Sequence, residues 1–266
     1  CSFAVNRREN VASDVPRQRA MGTLAGPYDH DVPVLAIRDS ALELKAIVFG
    51  YACHATVLNS RQWSGDYPGF AQQEIERRYP GVTAMFWAGC GADQNPIPRR
   101  QVELARQYGM RLGAAVAEVV AGAMRSVEPR IRSVYREIDL PLTDLPTVPE
   151  LRVIADSREQ IYEQARAKYL LERVGGRDQL VDRYPYPIAT WLLGNDVRFV
   201  FLGVEVGVDY ALRFKGPAAG GQENDRPTVW VAGYSNDVMA YVPSRRVLAE
   251  GGYEGGGSNV YYGLPG

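Results

Sequence analysis

The chain has 266 residues, of which 46% are hydrophobic and 23% are charged, so it is long and apolar enough to bury a large core. Its formal net charge of −1 gives no electrostatic reason to expect nucleic acid or an anionic membrane surface as a partner. No apolar run reaches the roughly 18 residues that a membrane-spanning helix needs, so no such span is predicted.

Strand and helix patterns alternate along the first half of the chain. Apolar runs bounded by turn residues predict β-strands at 33–38, 44–52 and 82–90. Apolar residues at helical spacing predict a short helix at 68–79 and a long helix at 100–126. The short helix follows a Ser-Gly-Asp turn and is ended by a Pro-Gly pair.

The second half continues this alternation. Residues 132–142 are strand-like, and residues 147–175 are predicted to be helical with a charged, solvated face. Two apolar runs form a predicted hairpin that turns at 195–196, and 227–237 is a last buried strand before a tail rich in tyrosine and glycine. Because strands and helices alternate, the predicted fold class is α/β, with a mixed β-sheet flanked by helices.

Polar side chains follow several of the predicted buried strands. His54, Asp93, Glu205 and Asn236 each come just past the end of one strand. Ligand sites in open α/β sheets collect at the carboxyl ends of strands, so these residues are expected to share one site.

His54 and Glu205 are the residues in this set that point to a metal. A single histidine after a strand is usually a hydrogen-bonded structural residue. Glu205 lies between apolar residues, where a carboxylate is rare unless it is paired, for example with Arg213, or bound to a metal. A histidine and a glutamate at strand ends together suit a divalent cation such as zinc.

Six short segments, in order, resemble the motifs of the neutral ceramidase family. They are NRR at 6–8, HATVL, SGDYPGFAQQEIE, FWAGCGADQNPIPR, GVEVG and SNDVMAYVPSRRVLAEGGYEGG. The resemblance extends from Asn6 to Gly256. It implies that residues 1–266 are a single ceramidase-like catalytic domain without the family's C-terminal β-sandwich.

The resemblance also implies a role for five residues. His54, Glu205 and Tyr241 are similar to the family's zinc-binding histidine, glutamate and tyrosine. Arg7 is similar to the arginine that contacts the reacting carbonyl, and Tyr253 resembles the tyrosine that stabilises the oxyanion. The implied cofactor is therefore Zn²⁺, and the implied location is extracytoplasmic.

Two departures from the family pattern affect the expected chemistry. The family's other zinc histidine lies upstream of the segment that matches NRR, so a companion chain or upstream segment is expected to supply it; His30 is interpreted as a turn residue. Asn95 occupies the position of the family's serine nucleophile, and an amide cannot form an acyl intermediate.

The expected function is hydrolysis of a small N-acyl amide by metal-bound water. Zinc lowers the pKa of its bound water toward about 7 and polarises a carbonyl. Arg7 and Tyr253 would donate to the developing oxyanion, and Asn95 would orient substrate or water.

Two other interpretations stay open from the sequence. Cys1 would be a nucleophile if it were a mature N-terminus, with its own α-amino group as base. A straight strand would place Cys1 about 20 Å from Arg7, so this hypothesis needs a bend in the backbone. The third interpretation is a binding protein that has kept the fold and lost the chemistry. Cys53 is expected in the core, and Cys90 is a weaker candidate for the site than Cys1.

Other residues carry plainer expectations. Asp66 is expected to stabilise the start of the 68–79 helix. Trp63, Trp87 and Tyr234 are either pocket walls or aromatic core. The pair at 99–100, two arginines, is expected to be solvated.

Overall fold

The computed structural model describes residues 1–142, 145–157, 160–175, 179–216 and 227–265. Within these residues the chain is an α/β fold in which mixed sheets are flanked by helices, as the alternation of patterns predicted.

The strands of the described residues fall into two larger and two small sheets. In chain order they are β1 (Ala4–Asn6), β2 (Val34–Arg38), β3 (Leu44–Tyr51), β4 (Thr83–Ala88), β5 (Gln94–Pro96), β6 (Ile131–Pro141), β7 (Arg183–Leu193), β8 (Val197–Leu202), β9 (Glu205–Val206), β10 (Thr228–Ala232) and β11 (Tyr241–Val242).

The helices are unequal in length, and the longest follows β5. In chain order they are α1 (Val15–Met21), α2 (Asp66–Arg78), α3 (Val102–Ala121), α4 (Val148–Asp156), α5 (Ile161–Val174), α6 (Val208–Lys215), α7 (Arg245–Glu250) and α8 (Asn259–Tyr262), with a π-helical turn over Tyr253–Gly257 before α8.

The first larger sheet has the order β2-β3-β4 and is covered by α2 and α3. β2 pairs antiparallel with β3, and β3 pairs parallel with β4 after the crossover through α2. The two helices approach closely at Gly109, where a Cβ atom would lie 2.7 Å from the Tyr67 carbonyl oxygen. A cluster that is almost fully buried fills this layer, and it includes Phe3, Ile47, Phe49, Tyr51, Tyr67 and Leu112.

The second larger sheet has the order β10-β8-β7-β6. The predicted hairpin of β7 and β8 is confirmed, and its turn lies at 194–196. β10 pairs parallel with β8, so the polar residues that follow these two strands emerge at the same edge of the sheet.

The two sheets meet where β4 and β10 end. Gly89 forms an isolated bridge with Ala232, and the Gly233 amide donates to the Ala88 carbonyl over 3.2 Å. Trp87 packs beside this junction, with its ring centroid 5.1 Å from that of Phe199. Because the strand ends are joined here, the loops that follow them converge on one region.

Two features of the helices differ from the expectation. The region 147–175 contains two helices, α4 and α5, and residues 158–159 between them lie outside the described part of the chain. A capping box at Thr147 and Glu150 begins α4. The short helices α1, α6, α7 and α8 were not predicted, because one or two turns give too few residues for a helical period to be recognised.

Candidate active site

A turn between β4 and β5 connects the halves of the site. The Gln94 carbonyl accepts from the His54 amide over 3.0 Å, and the Asp93 carbonyl accepts from the Arg7 amide over 2.9 Å. The Ala92 amide donates to the Val206 carbonyl over 3.2 Å. Three distant parts of the chain are therefore held by the backbone of one turn.

Gly91 allows this turn to pass close to the strand end that carries His54. A Cβ atom at this position would lie 2.8 Å from the Cys53 amide nitrogen, which is a backbone atom and cannot move aside. The glycine-rich segment after β4 is thus required by a close approach of two backbones.

The Asp93 side chain adds two hydrogen bonds to those of the turn backbone. It is 1% exposed, and its carboxylate accepts from the Asn6 side chain and from the Val208 amide, each over 3.0 Å. Val208 is the first residue of α6, where a carboxylate compensates the free amides of the helix N-terminus. Asp93 therefore joins β1 to the segment that follows Glu205.

Glu205 and Tyr241 are neighbours because β9 and β11 pair in parallel register, with these two residues opposite each other. Burial, and after it the Glu205 carboxylate, raise the pKa of the Tyr241 hydroxyl. Val204 and Ala240, the residues before them, both have positive φ, 53° and 59°. The backbone turns sharply before each strand, which brings both side chains to the same point. The alternative explanation for Glu205, an ion pair with Arg213, is not seen among the described residues.

His54 completes this group. Its Nε2 atom lies 3.5 Å from Oε2 of Glu205 and 2.9 Å from the Ala92 carbonyl oxygen. The Tyr234 hydroxyl lies 3.3 Å from Nδ1 of His54 and 3.3 Å from Oε2 of Glu205. A carbonyl oxygen only accepts, so we assign the ring proton to Nε2 and a free lone pair to Nδ1.

Burial controls the protonation of this cluster. It lowers the pKa of His54 to about 4, with a further contribution from the positive charge of Arg7, so the imidazole is neutral at pH 7. Burial raises the pKa of the Glu205 carboxyl, and it raises the pKa values of Tyr234 and Tyr241. The cluster thus consists of neutral donors around one carboxylate.

The donor types fit zinc, although the set is short. A neutral imidazole, a carboxylate and a phenol oxygen are available from His54, Glu205 and Tyr241. The contact of Nε2 with the Ala92 carbonyl is the outer-shell contact typical of a metal-binding histidine. It leaves Nδ1, which lies 3.3 Å from the Tyr234 hydroxyl, as the ring nitrogen that carries the lone pair. The described residues contain no group of three or more His, Cys, Asp or Glu side chains that could hold a metal. The zinc-binding roles of these residues remain predictions.

Arg7 lies beside the cluster and is held from two sides. Its Nε atom is 2.6 Å from Oε1 of Glu254, and its Nη2 atom donates to the Tyr241 hydroxyl over 3.5 Å. The guanidinium carbon lies 5.8 Å from the ring centroid of Tyr253, a contact typical of cation–π attraction. The tyrosine rings of Tyr241 and Tyr253 are 5.4 Å apart at their centroids, so the two predicted oxyanion donors adjoin the predicted ligands.

A groove of about 710 Å³ opens next to these residues. Asn95 lines it, is 4% exposed, and has a side-chain carbonyl oxygen without a hydrogen-bond partner among the described residues. An unsatisfied buried acceptor is costly, and it is available to a substrate or a water. The other residues that line the groove are Arg7, Arg8, Glu9, Asn10, Val11, Ala12, Ile97, Arg99, Tyr253 and Glu254.

The structure does not bring Cys1 to this site. The Cys1 thiol donates to the Arg111 carbonyl of α3 over 3.5 Å, and its own carbonyl accepts from the Tyr51 hydroxyl over 3.1 Å. Cys53 is core, as predicted, and Cys90 is fully buried, with burial raising the pKa of its thiol. Nε2 of His30 lies 2.9 Å from the carbonyl oxygen of Ala4 in β1, so His30 has a structural contact with that strand.

The structure decides several plainer expectations. Trp63 is fully exposed, whereas Trp87 belongs to the aromatic core between the sheets. Arg99 is not fully solvated, because it is half-buried along the groove. The expectation for Asp66 is confirmed, since its carboxylate accepts from the amides of Val57, Leu58 and Tyr67 at the start of α2.

Two residues gained a role that the sequence did not assign. Tyr234 bridges His54 and Glu205, and Glu254 fixes Arg7 and Arg8. Glu254 lies inside the Tyr-Glu-Gly segment that carries part of the family resemblance, and this was the available signal. Nothing in the local pattern distinguishes Tyr234 from a core aromatic residue.

Solved structures are the known proteins that this chain matches. No family model matches the chain, and no curated protein matches it significantly. Solved structures do match, and they place the chain among folds of the ceramidase type.

The neutral ceramidase from Pseudomonas aeruginosa superimposes with a TM-score of 0.63 and 20% identity, over 99% of this chain and 49% of that one. A ceramidase complexed with C2 superimposes with a TM-score of 0.62 and 20% identity, over 98% of this chain and 50% of that one. The likeness establishes the fold, and the chain spans about half the length of these neighbours.

No helix in the described ranges is both long and apolar enough to cross a membrane.

Proposed function

We propose that the protein is a zinc-dependent hydrolase of a linear C–N amide, of the ceramidase type. The observation that carries the proposal is that His54, Glu205 and Tyr241 lie together beside Arg7. Arg7 and Tyr253 in turn line the groove. The ceramidase-like fold supports it, and the reaction class is taken from the structural neighbours, which are ceramidases.

His54, Glu205 and Tyr241 would hold the zinc. When bound there, zinc supplies a Lewis acid for the amide carbonyl and lowers the pKa of a water molecule. A companion chain or upstream segment is proposed to add a further histidine, because the described residues bring only His54 and Glu205 together as conventional zinc ligands.

The chain's own residues would position and stabilise the reacting groups. Arg7 donates toward the carbonyl oxygen as negative charge develops, and Tyr253 contributes its hydroxyl from the adjacent side. Glu254 keeps Arg7 oriented, since its carboxylate lies 2.6 Å from Nε. The side-chain oxygen of Asn95, which has no hydrogen-bond partner among the described residues, would accept a hydrogen bond from the attacking water or from the amide N–H.

Water is proposed as the nucleophile. Asn95 lacks an acidic proton, and Cys1 contacts α3 rather than the groove. The oxygen of water goes to the acyl carbon, and a proton goes to the departing nitrogen. The substrate is proposed to be a small N-acyl amide, and the location extracytoplasmic, on the ground of the resemblance alone.

The test is turnover of a panel of N-acyl amides in ¹⁸O-labelled water by the protein with and without added zinc. We expect zinc-dependent hydrolysis, one ¹⁸O atom in the released acid and no acyl adduct on the intact protein. Glu205→Gln should abolish both turnover and zinc retention. Zinc-independent turnover would exclude the metal mechanism. Binding of substrate without turnover, even with upstream segments or companion chains present, would favour a non-catalytic binding protein.

A further inference from the structure

The groove carries an imbalance of charge that the proposed reaction does not use. Three arginines and two glutamates line it, which leaves one net positive charge. Glu254 lies 2.6 Å from Arg7 and 2.7 Å from Arg8, and Glu9 lies 2.8 Å from Arg246. The two carboxylates of the groove are therefore already occupied.

Arg99 is the arginine of the groove that has no carboxylate partner among the described residues. Its hydrogen bond is from Nη1 to the Thr56 hydroxyl over 3.4 Å, and no ion pair to it exists within the described ranges. Burial and the like charges of Arg100 and Arg7 lower the pKa of Arg99, as expected of a cation without a counter-charge. A half-buried guanidinium with free N–H groups is a binding site for an anion.

The groove also has an apolar part. Val11, Ala12 and Ile97 line it together with Arg99, and Val11 is 66% exposed. An exposed aliphatic side chain beside a groove is suited to cover an acyl chain. One net positive charge balances a carboxylate better than a doubly charged phosphate, and the planar guanidinium matches the two oxygens of a carboxylate.

We propose that Arg99 binds a carboxylate of the substrate, so that the amide cleaved is an N-acyl amino acid or a similar N-acyl amide with one carboxylate. This inference rests on the proposed hydrolase function. Hydrolysis would transfer the oxygen of water to the acyl carbon and a proton to the nitrogen, which releases a carboxylic acid and an amino acid.

The experiment compares three substrates with the zinc-supplemented protein: N-lauroylglycine, the uncharged N-lauroylglycinamide and N-lauroyl-aminomethylphosphonate. We expect kcat/KM to be highest for N-lauroylglycine. Arg99→Gln should reduce this preference over the glycinamide by about 10- to 100-fold, mainly through KM, as for loss of one charge-assisted hydrogen bond. Arg99→Lys should recover part of it.

Arg100→Gln is the matched control, because it removes the same charge from an exposed neighbour outside the groove lining. It should leave the preference for N-lauroylglycine unchanged. Equal losses for charged and uncharged substrates in Arg99→Gln would overturn the proposal, and so would a preference for the phosphonate.

A binding measurement separates this inference from the hydrolase proposal. If none of the three substrates is cleaved, calorimetry should still show N-lauroylglycine binding at least about 10-fold more tightly than the glycinamide, with the difference lost in Arg99→Gln. That result would keep the carboxylate site and reject the hydrolase. Equal binding of the two compounds would reject the carboxylate site itself.

Discussion

The Nε atom of Arg7 lies 2.6 Å from Oε1 of Glu254, although 247 positions separate them in the chain. Glu254 also lies 2.7 Å from Nη1 of Arg8, so one carboxylate, only 9% exposed, orients two adjacent arginines. The contact connects the turn that follows the first strand to the π-helical turn near the end of the chain. It therefore fixes the position of the predicted oxyanion donor Arg7 through tertiary structure.

Glu254→Gln is expected to lower activity more than stability. We expect kcat/KM to fall about 10- to 100-fold as Arg7 loses its orientation, and the free energy of unfolding to fall by about 1–3 kcal/mol. Amide hydrolysis and urea unfolding at pH 7 measure the two effects. Wild-type activity in this variant would show that Arg7 does not depend on Glu254.

The same residue predicts a pH dependence of stability. Burial opposes ionisation of Glu254, but Arg7 and Arg8 outweigh it and hold the pKa of the carboxyl below its usual range. The stabilisation is present above the unfolded pKa of about 4.3 and is lost as pH falls through the lower folded value. Wild type should lose stability more steeply than Glu254→Gln below about pH 4.5. Parallel curves would contradict this assignment.

Zinc binding is expected to depend on one histidine and not on the other. His54→Ala should remove zinc retention, and it should abolish the increase in melting temperature on addition of zinc. His30→Ala is the control, because its side chain contacts the Ala4 carbonyl and should affect stability alone. Metal analysis after dialysis and thermal unfolding measure both. Equal zinc binding by the two variants would remove His54 from the ligand set.

Tyr234→Phe tests the hydroxyl that bridges His54 and Glu205. The loss of one outer-shell hydrogen bond should weaken zinc binding by about 10- to 100-fold, measured by competition with a chelator. Tyr186→Phe is a matched control, since its buried hydroxyl donates to the Gly203 carbonyl over 2.9 Å. The control should lose stability of about 1 kcal/mol without a change in zinc affinity.

Asn95→Ala should separate function from stability. The side-chain oxygen of Asn95 has no hydrogen-bond partner among the described residues, so the free energy of unfolding should change by less than about 1 kcal/mol. Activity should fall by about 10²–10³-fold at most, as for removal of one orienting group. Steady-state kinetics and intact mass are the measurements. An acyl adduct trapped on the wild-type protein would reject water as the nucleophile.

Gly91→Ala tests the turn that assembles the site. The added Cβ atom would lie 2.8 Å from the Cys53 amide nitrogen, so we expect a loss of about 1–3 kcal/mol and reduced activity. Gly69→Ala is the control, because its Cβ atom would have nothing within 4 Å and it lies inside α2. That variant should gain up to about 1 kcal/mol. Urea unfolding compares them, and similar effects of the two changes would contradict the close approach.

The sequence by itself determined the larger elements and the residues expected at the site. Periodicity located β3, α2, α3 and the hairpin of β7 and β8, because these elements are long enough to repeat an apolar pattern. Strand-end positions singled out His54 and Glu205, and the motif resemblance added Arg7, Tyr241 and Tyr253. The structure brings these residues together, but their chemical roles are still predictions.

Only the tertiary structure decided how these residues are connected. The Tyr234 bridge between His54 and Glu205 and the contact of Glu254 with Arg7 join residues more than twenty positions apart, so no local pattern encodes them. The same holds for Arg99, which has no carboxylate partner in the part of the chain that the structure describes. The tertiary structure also placed Cys1 against α3, whereas the sequence could not show whether the backbone bends between Cys1 and Arg7. The spacing of apolar residues in the sequence indicates which face of a helix or strand is buried. Contacts between side chains depend on how strand ends and turns converge in space.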